Sequence, residues 1–169
     1  MIVIADSGPL RYLVVIEQVH LLPLLYGSIV VPPSVVNELT QTATPQTVRV
    51  WMDDLPEWVA VKFPQKPMPI FPSVLGSGEQ EAIALAQELS AAVLLVDDEA
   101  ARIEAERRDI PVQGTLGVLD LAAEHDLLAD LPAAIQKLRA TNFRASNKLF
   151  DFFLERDALR KRITRRRGT

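Results

Sequence analysis

The amino-acid sequence predicts an α/β fold: a three-layer α/β/α sandwich around a central, mostly parallel sheet. Three observations carry that reading. Short β-branched apolar runs alternate along the chain with stretches of helical periodicity, the pattern of repeated βαβ units. The first and fourth runs, Ile2–Ala5 and Ala92–Val96, each stop on an acid, Asp6 and Asp97. The chain has 169 residues, 49% of them hydrophobic, enough to bury one core without staples.

The elements follow in order. Ile2–Ala5 reads as a strand, closed by Asp6-Ser7-Gly8-Pro9, which also suits a helix start, and Leu10, Leu13 and Val14 give the helix that follows. Ser28–Val31 is a second strand. Pro32-Pro33-Ser34 then opens a helix through Val35-Val36-Asn37-Glu38-Leu39, since proline fits a first helical turn. Residues 45–54 read as a short helix and Trp58–Lys62 as a third strand. Four prolines between residues 62 and 76 make that stretch a loop.

Ser77 or Gly78 caps the helix Glu79–Leu89, and Ala92–Val96 is the buried-type fourth strand. Glu99–Arg108 is helical, Ile110–Val112 a brief strand, and Gly114-Thr115-Leu116-Gly117 opens a helix to about Glu124. Asp130 and Ser146 cap two last helices. No repeat is visible. Residues 1–159 form one predicted domain and residues 160–169 a basic tail.

Composition narrows the chemistry. With no cysteine there is no disulfide scaffold, thiolate metal site or cysteine nucleophile. His20 and His125 cannot build a histidine-rich zinc site by themselves. Met1-Ile-Val-Ile-Ala-Asp6 lacks the basic start of a signal peptide, and the apolar stretch from Leu10 to Val31 is broken by Arg11, Glu17, His20 and Pro23. A cytoplasmic protein without a membrane span is expected. The net charge of −4 is uneven: the segment from Arg156 to Thr169 carries seven basic residues against Asp157 alone.

In parallel sheets of this kind a site opens at the carboxyl ends of the strands, at a switch point in strand order. Asp6 and Asp97 stand where that rule points. Glu38, behind Val35-Val36, and Glu81, ahead of Ala82-Ile83-Ala84-Leu85, are acids on apolar helices. Buried carboxylates need a compensating cation or donor. Four of them converging without Lys, Cys or His suggest a hard divalent cation, Mg²⁺ or Mn²⁺, which prefers oxygen ligands. Such an ion can activate water and neutralise charge during phosphodiester displacement. Each acid also has an ordinary explanation. A lone Asp after a strand is often a helix cap, a lone helical Glu is usually solvated, and Asp97-Asp98-Glu99 suits the positive end of the next helix.

The segments Ile4-Ala5-Asp6-Ser7-Gly8-Pro9-Leu10, Val31 to Leu39, Gly78 to Ala86, Leu95-Val96-Asp97-Asp98 and Val112 to Leu119 together resemble a PIN domain, most closely the branch of VapC-type toxins of prokaryotic toxin–antitoxin pairs. The resemblance runs from Ile2 to about Leu128. It implies a Mg²⁺- or Mn²⁺-dependent endoribonuclease with an RNA substrate, an antitoxin protein as partner and a homodimeric state. By motif position Asp6, Glu38, Glu81 and Asp97 match the family's acidic quartet, both as catalytic residues and as metal ligands. Ser7 matches the small hydroxyl residue beside the first acid. Glu79 competes with Glu81 at the same helix start, and Asp98 with Asp97. A Glu in third place is one methylene longer than the family's commoner Asp.

Thr115 is a further candidate to face the acidic pocket. Arg160, Lys161, Arg162, Arg165, Arg166 and Arg167 are candidate contacts to RNA phosphates through charge, although a solvated tail or a subunit contact explains them too. Phe150, Phe152 and Phe153 read as core or interface. No dinucleotide fingerprint and no Gly-x-Ser-x-Gly elbow is present. The rival to a nuclease is a non-catalytic module that keeps the fold for binding or oligomerisation.

Overall fold

The computed structural model describes residues 1–167, with the side chains of Arg165 and Arg167 outside the described residues. Five strands, β1 (Val3–Ala5), β2 (Ile29–Val31), β3 (Val59–Val61), β4 (Val93–Leu95) and β5 (Val112–Gln113), form one sheet in the order β3-β2-β1-β4-β5. Every pairing is parallel, with Ile4 opposite Val30 on one side and Leu94 on the other. The expected parallel α/β architecture is therefore present. Between β1 and β4 the chain reverses its direction of progress across the sheet, which makes this the switch point.

Helices intervene: α1 (Ser7–Val15), α2 (Leu21–Tyr26), α3 (Pro33–Leu39), α4 (Gln46–Asp53), α5 (Ser77–Glu88) and α6 (Glu99–Arg107). Pro33 starts α3 as its fixed φ allows. Ile4, Ala82, Ile83, Leu85, Ala86, Leu94, Val96, Ala101 and Ala105 form a buried cluster between sheet and helices. Residues 62–76 form the expected loop, anchored where the Arg108 guanidinium lies 4.5 Å over the Phe71 ring.

The chain divides into two compact units, Met1–Thr115 and Leu116–Thr169. The first holds the sheet. The second holds most of α7 (Thr115–Glu124), then α8 (Leu131–Arg139) and α9 (Asn147–Arg167). Helix α9 continues through the basic segment, so residues 160–167 are helical. Buried Asp120 accepts from Arg160 at 2.6 Å and pairs with Arg156 at 3.2 Å, while Asp157 pairs with Lys161 at 2.7 Å. Phe150 is buried, edge-on to Phe143 at 6.2 Å, whereas Phe152 is exposed. No helix among the described residues is long and apolar enough to cross a membrane.

Candidate functional site

The backbone N–H of Asp6 donates to the Leu95 carbonyl at 2.9 Å, so the residue leaving β1 is fastened to the end of β4. Asp6 holds the N-cap position of α1, but its side chain makes no capping bond. Helix capping therefore does not explain this acid. Asp6 as a residue is 4% exposed, and its Oδ1 has no hydrogen-bond partner. Burial pushes the carboxyl up to about 7; the Ser7 backbone N–H opposes that, and the charges of Glu79, Glu38 and Asp97 add to it. A buried carboxylate oxygen without a donor is expensive unless it keeps its proton or meets a cation.

Two helices bring the next acids. Glu38 reaches from α3 to α5, where its Oε1 accepts the Gly78 backbone N–H at 3.1 Å. That approach needs glycine: a Cβ at Gly78 would stand 2.9 Å from the Glu38 Cδ. Glu79 follows on α5, its Oε2 accepting the N–H of the N-cap residue Gly76 at 2.6 Å. Its carboxyl is raised by burial above all, against that Gly76 bond, with the charges of Asp98 and Glu38 contributing.

Asp97 closes the group from β4. Its Oδ1 accepts the Thr115 N–H at 2.7 Å and its Oδ2 the Thr115 hydroxyl at 2.6 Å. Burial raises this carboxyl too, while the two Thr115 bonds and then the Arg102 charge lower it. Gly114 leaves room for the approach, since a Cβ there would lie 2.9 Å from Asp97 Oδ1.

The structure thus gathers Asp6, Glu38, Glu79 and Asp97 at the carboxyl end of the sheet, with Thr115 bound to Asp97. Glu81 is placed differently. Its Oε2 accepts the Ser34 backbone N–H at 2.9 Å, capping the first turn of α3, and it is absent from the charges that raise Asp6. Of the two competing acids on α5, Glu79 is the one coupled to the group. Asp98 is exposed and caps α6, its Oδ1 accepting from Ala101 N at 2.9 Å, although its charge reaches Glu79. Ser7 begins α1 beside Asp6. Arg160 and Lys161 spend their charge on Asp120 and Asp157, and Arg162 is exposed.

The sequence did not place Arg102 at the site, and it marked Gly8, Gly78 and Gly114 only as turn or helix-start residues. In the structure each of these glycines stands where a Cβ would crowd a carboxylate.

Among the described residues, no three Asp, Glu or His side chains are arranged to hold a metal ion as they stand. The donors nevertheless suit a hard cation. All are carboxylate oxygens, and Asp6 Oδ1 lacks any partner. Mg²⁺ is ordinarily held by one or two carboxylates and several waters, without a closed protein cage.

An all-parallel sheet with acids at its β1–β4 switch point defines an α/β fold of the PIN type. The sequence matches the family model described as PIN domain over residues 2–158, and the chain belongs to that family. PIN domains are generally nucleases. In fold the chain is similar to a PilT N-terminus domain protein from the hyperthermophilic archaeon Sulfolobus solfataricus P2. The two are 18% identical, with a TM-score of 0.51, over 74% of this chain and 96% of that one. No curated protein matches the sequence. Neither match separates a VapC-like branch from other PIN domains.

Proposed function

We propose that this chain is a Mg²⁺- or Mn²⁺-dependent endoribonuclease, acting as the toxin of a toxin–antitoxin pair. The observation that carries the nuclease reading is Asp6: a buried carboxylate with an orphaned oxygen, facing three more acids at a switch point. When bound, the cation would supply activation of the attacking water and neutralise charge on the phosphodiester. Asp6 would hold it, with Glu38 and Glu79, anchored by the Gly78 and Gly76 N–H groups, adding the charge of two further carboxylates. Asp97, tied through both oxygens to Thr115, holds the end of β4 against the start of α7 and adds negative charge. The toxin role, an antitoxin partner and a homodimer rest on the sequence resemblance to the VapC-like branch.

The test is cleavage of structured RNAs with and without Mg²⁺ or Mn²⁺, with Asp6→Asn as control. Metal-dependent cleavage by the wild type and none by the folded variant is expected; equal cleavage by both would overturn the reading. Toxicity relieved by a small protein encoded beside the gene supports the toxin role.

A second reading, a non-catalytic binding module, draws on the lack of a ready-made metal cage among the described residues. It predicts no rise in melting temperature with Mn²⁺, whereas a cation bound to the folded state raises it.

A further inference from the structure

We infer that Arg102 is a substrate-binding residue, its guanidinium taking a phosphate oxygen of the RNA strand beside the acidic group. The inference rests on the ribonuclease reading and adds a specific residue to it. Arg102 lies one turn into α6, its backbone N–H donating to the Asp98 carbonyl at 3.0 Å. The side chain is half-buried and folds back toward the carboxyl end of β4, where Nη1 donates to the Val96 carbonyl at 3.3 Å. A Cβ at Gly114 would lie 3.1 Å from that same nitrogen and 2.9 Å from Asp97 Oδ1. Arginine and aspartate therefore share the space that the missing side chain leaves.

The other guanidinium donors are unspent. No ion pair or further side-chain hydrogen bond joins Arg102 to another described residue. A guanidinium carries five N–H donors in a planar fork suited to phosphate oxygens. A group of carboxylates repels a polyanion, and a cation held beside it gives the backbone a point of attachment that a divalent ion alone does not. The basic residues of α9 are less suited to this, since Arg156, Arg160 and Lys161 are already paired with Asp120, Glu124 and Asp157. Arg102 is partly accessible and close enough to Asp97 for its charge to act there, and beyond the Val96 carbonyl its donors bond no described residue.

The experiment measures binding of a single-stranded RNA oligonucleotide by fluorescence anisotropy across a salt series, in the full-length chain with Asp6→Asn to prevent cleavage. Adding Arg102→Gln should weaken binding about tenfold and lower the slope of log K against log salt by about 0.7, the value for one phosphate contact on a single strand. Arg102→Lys keeps the charge but not the fork, so it should retain the slope and lose part of the affinity. A purely structural arginine would change the melting temperature and leave the slope alone. Unchanged affinity and slope in Arg102→Gln, with wild-type cleavage of RNA intact, would overturn this inference and leave the ribonuclease reading standing. Should Arg102→Gln fail to fold, undiminished affinity in Arg102→Lys would overturn it equally. A wild type that neither binds nor cleaves RNA would remove both.

Discussion

Glu38 on α3 and Gly78 on α5 are joined by a 3.1 Å hydrogen bond from backbone N–H to carboxylate, with no room for a methyl group between them. Two helices distant in sequence are thereby locked through a carboxylate that also raises Asp6 and Glu79. Gly78→Ala should push Glu38 out of this position. Alanine is the better helix former by about 1 kcal/mol, but crowding in a packed site costs about 1–3 kcal/mol. A net loss of stability and weaker Mn²⁺ binding are expected in thermal melts. In a Glu38→Ala background the crowding disappears, so the same Gly78→Ala change should become neutral or stabilising. A double-mutant cycle on melting free energies checks that reversal.

The buried charge of Asp6 sets a pH dependence. Its carboxyl titrates near 7 in the fold against an ordinary 3.8. Folded protein therefore binds the proton more tightly than unfolded protein, and stability of the metal-free fold falls as pH rises from about 4 to about 7. Above that range the penalty levels off at no more than about 4 kcal/mol. Asp6→Asn removes it. The variant should melt several degrees above the wild type at pH 8 in the presence of chelator and converge with it near pH 4. With Mn²⁺ at pH 8 the wild type should gain more than the variant does. Parallel pH profiles for the two proteins would contradict a buried ionised carboxylate.

The second unit gives a separate expectation. Asp120 is almost fully buried between Arg160 at 2.6 Å and Arg156 at 3.2 Å. Asp120→Asn leaves the partly buried Arg160 guanidinium with Asp157 alone, at 3.4 Å, as counter-charge, which should cost about 1–3 kcal/mol in urea denaturation. Arg156 is nearly half exposed, so Arg156→Gln should cost under about 1 kcal/mol.

Much of this was readable from sequence because the information was local. Asp6 and Asp97 follow β-branched runs, and a strand that stops on an acid in a parallel sheet points to its carboxyl end. Pro33 and Asp130 announced their helices in the same way. Where the reading failed, the deciding partner was remote. Helix α2, Leu21–Tyr26, is almost wholly apolar and contains Pro23, so it shows no periodicity. The basic end of α9 looked like a tail because Asp120 lies some forty residues upstream of the arginine it holds. Arg102 was silent because its significance depends on Gly114 and Val96 meeting it in space.

The rivalry of Glu79 and Glu81 shows the same limit and yields the sharpest test. Two residues apart on an α-helix are separated by about 200° of rotation, so the two side chains leave opposite faces of α5. Which face meets Asp6 depends on where the helix begins, and Gly76, not Ser77 or Gly78, is the cap. That phase brings Glu79 toward Asp6 and sends Glu81 to the Ser34 N–H at the start of α3. Glu81→Gln should therefore lower stability by about 1 kcal/mol, through a weakened cap, while Mn²⁺ binding and RNA cleavage stay close to wild type. Glu79→Gln should weaken Mn²⁺ binding and reduce cleavage at least tenfold, with little loss of stability because burial already disfavours its charge. Calorimetric Mn²⁺ titrations beside thermal melts of both variants separate the roles; the opposite pattern would return the third acidic position to Glu81.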